Sequence, residues 1–108
     1  MKSKLLIALF ATIGVVAAAV AAPATYTADA NHTFAQFEYN HLGFSNQTSR
    51  FNTVTGTVTI DQAAKKGSAD ITIDAKSVDT GSTLFNSHIQ GEDFLSTTEF
   101  PTATFQSN

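Results

Sequence analysis

Residues 53–60 read TVTGTVTI, and their alternation decides the fold. Val54, Gly56, Val58 and Ile60 fall on one face; Thr53, Thr55, Thr57 and Thr59 fall on the other. β-Branched residues at strict period two make a strand with two unlike faces, not a helix, whose apolar positions recur every three to four residues. Gly56 interrupts the apolar face. A glycine in mid-strand marks a bend, a bulge or the close approach of a neighbouring backbone.

Downstream, DQAAKKGS at 61–68 reads as a turn, and ADITIDAKSV at 69–78 alternates again. Ala69, Ile71, Ile73 and Ala75 oppose Asp70, Thr72, Asp74 and Lys76. Upstream, FAQFEYNHLGF at 34–44 puts Ala35, Phe37, Tyr39 and His41 on one face, and Phe34, Gln36, Glu38 and Asn40 on the other. Residues 33–42 therefore form a strand, and residues 26–28 a short first one. GFSNQTSRF at 43–51 is largely polar and reads as a turn or loop. Residues 80–100 lose the period and hold one or two short helical turns, with Ser82 as N-cap. Pro101 starts a last strand, TATFQS, with Ala103 and Phe105 on one face. Four or five strands without a long amphipathic helix make an all-β antiparallel meander. Its inner residues mix large (Phe37, Tyr39, Phe105) with small (Ala35, Gly56, Ala69, Ala75). Such a mixture either fills the taper of a small barrel or leaves a cavity.

Residues 1–21 read as an export signal. Lys2 and Lys4 precede an uncharged, mostly apolar run at 5–20, and Ala19, Val20 and Ala21 form an A-x-A cleavage pattern. A retained membrane anchor is the other reading, at about the minimum spanning length. Cleavage after Ala21 leaves residues 22–108, one small domain with a modest core. There is no cysteine to staple it. Four basic residues (Arg50, Lys65, Lys66, Lys76) then face nine acidic ones, a net charge of −5. That balance argues against nucleic acid and against electrostatic docking on anionic lipid.

Four stretches resemble the YceI-like family of exported, lipocalin-like proteins that bind polyisoprenoid lipids. They are DANHTFAQFEYNHLGFS at 29–45, SVDTG at 77–81, HIQGEDFLST at 88–97 and FPTATFQS at 100–107. Their order and spacing match, and together they span nearly all of 22–108. The resemblance implies an eight-stranded antiparallel barrel around a long apolar tunnel. The family domain is about twice as long, so residues 22–108 are expected to form its N-terminal part, an incomplete barrel. Open sheet edges then invite pairing with another chain, including a second copy in a homodimer. Two positions depart from the family pattern. Ser49 stands where a glycine is usual, two residues before Phe51, and Phe85–Asn86 stand where an Arg-Asp pair is usual.

On this resemblance, Phe37, Tyr39, Val54, Val58, Ile71, Ile73 and Phe105 line the tunnel, with His41 near the head group of a polyprenyl or quinone-type lipid. The protein is then periplasmic or secreted, meets membranes only to exchange lipid, and needs no cofactor beyond the bound lipid. The same residues admit plainer readings. His41 can bond a backbone carbonyl and close the turn. The phenylalanines Phe34, Phe37, Phe51, Phe85, Phe94, Phe100 and Phe105 can simply pack as core. A non-catalytic module that completes its sheet with another chain is the alternative function. The spacings of His32, His41 and His88 match no local ligand motif, and neither a nucleophile motif nor a placed carboxylate pair occurs. Asp79 and Asp93 read as turn-shaping side chains. Neither a metal site nor an enzyme is expected.

Overall fold

The computed structural model describes residues 20–108. The signal-type segment therefore lies almost wholly outside the described residues. Within them the chain forms β1 (Ala24–Thr27), β2 (Ala35–His41), β3 (Ser45–Phe51), β4 (Val54–Asp61), β5 (Lys66–Asp74), β6 (Val78–Asp79), α1 (Thr83–Ile89) and β7 (Thr102–Ser107). All pairings are antiparallel. One sheet runs β1-β4-β5-β7 and the other β2-β3-β6, and they do not close into a barrel. The fold is all-β, as an incomplete lipocalin-like barrel requires.

The four-stranded sheet sorts its side chains as the alternation demands. Val54 pairs with Ile73, Gly56 with Ile71, and Val58 with both Ala69 and Tyr26. Ile71 in turn pairs with Phe105, and Ile73 with Ala103. Directly paired residues share a face, so these apolar residues form one continuous surface. The opposite surface is polar: Thr55, Thr57 and Thr59 meet Thr72, Asp70 and Ser68.

Residues 45–51 are the main correction to the sequence reading. Expected as loop, they form β3, paired with β2 along seven positions from His41–Ser45 to Ala35–Phe51. SNQTSRF has almost no apolar alternation of its own, so periodicity carries no strand signal there. Its strand state comes from its partner and from the turn. Leu42 (φ 53°) and Gly43 (φ 79°) take consecutive left-handed conformations, the φ pattern of a type I′ hairpin turn. The Phe44 N–H donates to the His41 carbonyl (2.9 Å), and the Gly43 N–H to Asn40 Oδ1 (2.6 Å).

β5 also stops earlier than its alternation suggests. Asp74 Oδ1 accepts from the Lys76 N–H at 2.9 Å, and the Ser77 hydroxyl donates to the Asp74 carbonyl at 2.6 Å. Those local bonds wind residues Ala75–Ser77 into a 3-10 turn. This corner is tied to the one between β3 and β4. Asp74 N–H donates to the Thr53 carbonyl (3.0 Å), Asn52 N–H to the Ser77 carbonyl (2.9 Å), and Thr53 N–H to Ser77 Oγ (3.0 Å). The chain crosses between the sheets at both corners, and the core gathers there. Val54, Ala75, Val78 and Ile89 are the buried hydrophobics. Along β4 exposure rises from 3% at Val54 to 37% at Val58 and 41% at Ile60, so the apolar face opens away from the junction.

Candidate functional site

A string of rings runs from β3 across β2 to α1 and beyond it. Phe51 lies 5.4 Å from Phe37, Phe37 6.1 Å from Tyr39, and Tyr39 6.1 Å from Phe85. His88 continues the string at 6.2 Å from Phe85 and meets Phe94 edge-on at 5.1 Å. These separations are those of interacting aromatic pairs. Local signals place the members. Phe37 and Tyr39 share the inward face of β2. Phe85 sits in the first turn of α1, where Ser82 is the N-cap and its Oγ accepts from the Phe85 N–H at 3.3 Å. Asn86 anchors the helix, because its Oδ1 accepts from both the N–H and the hydroxyl of Thr80 at 2.7 Å. Phe85 and Asn86 thus serve as a ring in the string and a neutral hydrogen-bond anchor.

At the middle of the string, where it passes from Tyr39 to Phe85, lies a pocket of about 370 Å³, lined by Tyr39, His41, Gln47 and Phe85. His41 borders this pocket, and the turn beside it is closed by the His41 carbonyl and the Asn40 side chain. Gln47 enters because it pairs with Tyr39 across the hairpin. Sequence reasoning missed Gln47, since it lay in a presumed loop. Larger clefts of about 630 and 690 Å³ occur elsewhere, around Lys65–Lys66 and around Glu92 and Glu99. Both are lined mainly by polar residues; the first lies away from the aromatic string, and the second touches only its far ring, Phe94.

The eight residues expected to touch ligand fall on two surfaces. Phe37, Tyr39 and His41 share a face of the three-stranded sheet, with the first two half-buried and His41 exposed. Val54, Val58, Ile71, Ile73 and Phe105 share the apolar face of the four-stranded sheet. His32 stands apart, its Nδ1 2.8 Å from Asp29 Oδ2 on the surface. That contact comes first, with the Asn31 N–H second, in holding the Asp29 carboxyl below its usual range. Among the described residues, no three His, Asp or Glu side chains gather where they can hold a metal ion.

Ser49 sits within the aromatic face, opposite Phe37, and is 3% exposed. Its hydroxyl finds no hydrogen-bond partner among the described residues. An unsatisfied buried hydroxyl costs about 1–3 kcal/mol, and its removal leaves little void. Ser49→Ala is therefore expected to raise stability by roughly 1 kcal/mol, read from the urea midpoint. A lower midpoint would show that the hydroxyl has a partner.

On the other face of β3, Arg50 lies over the Phe34 ring at 4.2 Å and pairs in register with Asp79. The Gly81 N–H, at 2.9 Å from Oδ1, is the main cause holding the Asp79 carboxyl below its usual value. The Asn52 amide, at 3.3 Å from Oδ2, adds to it. A depressed carboxylate pKa contributes stability above the unfolded value and loses it as pH falls through the folded one. The melting temperature is thus expected to fall as pH drops below about 4, the unfolded carboxylate value, and less steeply in Asp79→Asn. Identical pH profiles would remove Asp79 from the acid response.

A family model for the YceI-like domain matches residues 26–108. The chain belongs to the YceI-like family. A UPF0312 protein of Shewanella putrefaciens is 37% identical over 110 residues, covering 99% of this chain and 57% of the relative. The protein YceI of Shigella flexneri is 39% identical over 111 residues, with the same coverage. A UPF0312 protein of Pseudomonas aeruginosa is 39% identical over 92 residues, covering 82% of this chain and 47% of its own length. The chain thus spans about half the length of the curated relatives it matches. YceI-like membership accords with a binding protein, and the relatives' names state no enzymatic activity.

Proposed function

We propose that the chain forms part of an exported protein that holds a long isoprenoid lipid, of polyprenyl or quinone type, without catalysing a reaction. The observation that carries this reading is the aromatic string with a partly polar pocket beside it. Five phenyl or phenol rings and one imidazole lie in sequence, and the string passes a pocket where His41 and Gln47 offer hydrogen bonds. A chain of methyl-branched units suits such a surface, since each buried methylene contributes about 0.8 kcal/mol with no demand for direction. The His41 imidazole and the Gln47 amide would meet the head group. The apolar face from Val54 to Phe105 supplies a second wall for the tail. Export through residues 1–21 places such a protein in the periplasm or outside the cell, where it meets membranes to exchange its lipid.

The test is native mass spectrometry of residues 22–108 after incubation with a polyprenol or a quinone in detergent. A retained mass equal to the lipid is expected. Empty protein with both lipids overturns the reading.

A second reading rests on a different observation. β7 is a sheet edge, and all six of its residues are exposed. An unpaired edge of that kind accepts a strand from another chain. On this reading the protein is a non-catalytic interaction module, and size-exclusion chromatography with light scattering shows a stable lipid-free dimer.

A further inference from the structure

The hairpin between β2 and β3 ends in three residues, Leu42, Gly43 and Phe44. Leu42 is 79% exposed and Phe44 89%. The backbone that carries them is held by hydrogen bonds. The turn is pinned by the Phe44 N–H to His41 carbonyl bond and by the Asn40 side chain, which also donates to Asn46 Oδ1 at 3.0 Å. The tip begins one residue beyond the pocket-lining His41. Leu84, 84% exposed, precedes Phe85 on the other side of that pocket. Three large apolar side chains thus stand exposed, each within three residues in sequence of a pocket-lining residue. Scattered exposed leucines need no explanation, but two of these residues share one hairpin tip, and Leu42 and Leu84 are chain neighbours of the pocket-lining His41 and Phe85.

Charge narrows what covers it. No Asp, Glu, Lys or Arg occurs from residue 39 to residue 49. Glu38 and Arg50, which bound this stretch, lie on the opposite face of the hairpin from Tyr39 and His41. The rim is therefore apolar and uncharged on a chain whose described residues are net acidic. An added strand does not cover it either, since strands add beside sheet edges, whereas this tip lies beyond the last ladder pair, His41–Ser45.

We infer that Leu42 and Phe44, with Leu84, dip into the surface of an uncharged lipid bilayer and bring the Tyr39–His41–Gln47–Phe85 pocket against it, so that lipid passes between membrane and protein without crossing water. This inference rests on the lipid-binding reading above. Apolar residues inserted at the headgroup boundary bind in proportion to the area they bury. Attachment of this kind depends little on salt, because no charge pairing is involved.

The test is co-sedimentation of the purified chain with sucrose-loaded vesicles of phosphatidylcholine alone, at low and high salt. The comparison is Leu42→Asn/Phe44→Ser. Asparagine suits the positive φ at position 42, so the hairpin is retained, as circular dichroism would check. The wild-type chain is expected to sediment equally at both salt concentrations. The double variant is expected to lose roughly a hundredfold in partition, about tenfold for each side chain. Equal sedimentation of the two proteins overturns the inference. So does binding that requires anionic lipid and vanishes in salt. A wild-type dimer that the double variant converts to monomer also overturns it, since a second copy then covers the tip.

Polyprenol uptake from detergent separates the two readings. A double variant that takes up polyprenol from detergent but not from vesicles supports the inference. A wild-type chain that sediments with vesicles but takes up no polyprenol leaves the membrane tip in place and removes the ligand assignment.

Discussion

Gly56→Ala is expected to leave the chain largely unfolded at room temperature. A Cβ built on Gly56 stands 2.8 Å from the Ile71 Cα and about 3.0 Å from the Asp70 carbonyl carbon, with the Asp70 oxygen nearer still. All three are backbone atoms of β5, so no side chain can rotate away. The residue also has φ +145°, a conformation that side-chain-bearing residues rarely adopt. The strain costs about 1–3 kcal/mol, and the overpacking about as much again. The site lies in the middle of the β4–β5 ladder, whose eight register pairs run from Val54–Ile73 to Asp61–Lys66. A small domain with a modest core has only a few kcal/mol to lose.

The contrast is Gly67→Ala. There the new methyl would meet the Thr59 carbonyl at 3.4 Å, an ordinary contact, so a change below about 1 kcal/mol is expected. Urea unfolding followed by circular dichroism measures both. A Gly56→Ala protein that melts like wild type would mean the two strands are further apart than described.

Ile73→Asp is expected to abolish lipid binding. Ile73 is half-buried between Val54 and Ala103 on the apolar face, with Val54 almost fully enclosed. A carboxylate there replaces apolar contact with a charge that must be either desolvated or neutralised on lipid entry. On the proposed ligand, a loss of at least about a thousandfold in affinity follows. Because the same change also weakens the fold, Phe105→Ser is the companion variant. Phe105 lies two register pairs away on the same face, opposite Ile71, and is exposed in the described chain. Its replacement therefore costs little stability, but it removes a ring from the same wall. A folded Phe105→Ser that still carries lipid at wild-type affinity, together with a lipid-retaining Ile73→Asp, would mean that this face is not the lining.

The strands that sequence alone located are those whose side chains alternate by themselves. β4 and β5 carry threonine and aspartate on one face and valine or isoleucine on the other, and that period is a local property. Gly56 likewise announced a special backbone position, since no packing argument places a glycine in the middle of such a face. Ser82 declared the start of α1, because capping needs only its own side chain and the next turn's N–H. The face that carries Phe37, Tyr39 and His41 was legible for the same reason.

What the sequence did not hold is what long-range pairing creates. SNQTSRF has no apolar period, and becomes β3 only because β2 lies beside it and a Leu-Gly turn reverses the chain. The choice of close approach over bend or bulge at Gly56 required β5 in place, because the limiting atoms belong to Asp70 and Ile71. Gln47 and Phe85 are 38 residues apart in the chain, and only the hairpin and α1 bring both to the pocket beside His41. Strand identity is written in neighbours two residues apart. The pocket is written in neighbours across a ladder, whose register the tertiary fold decides.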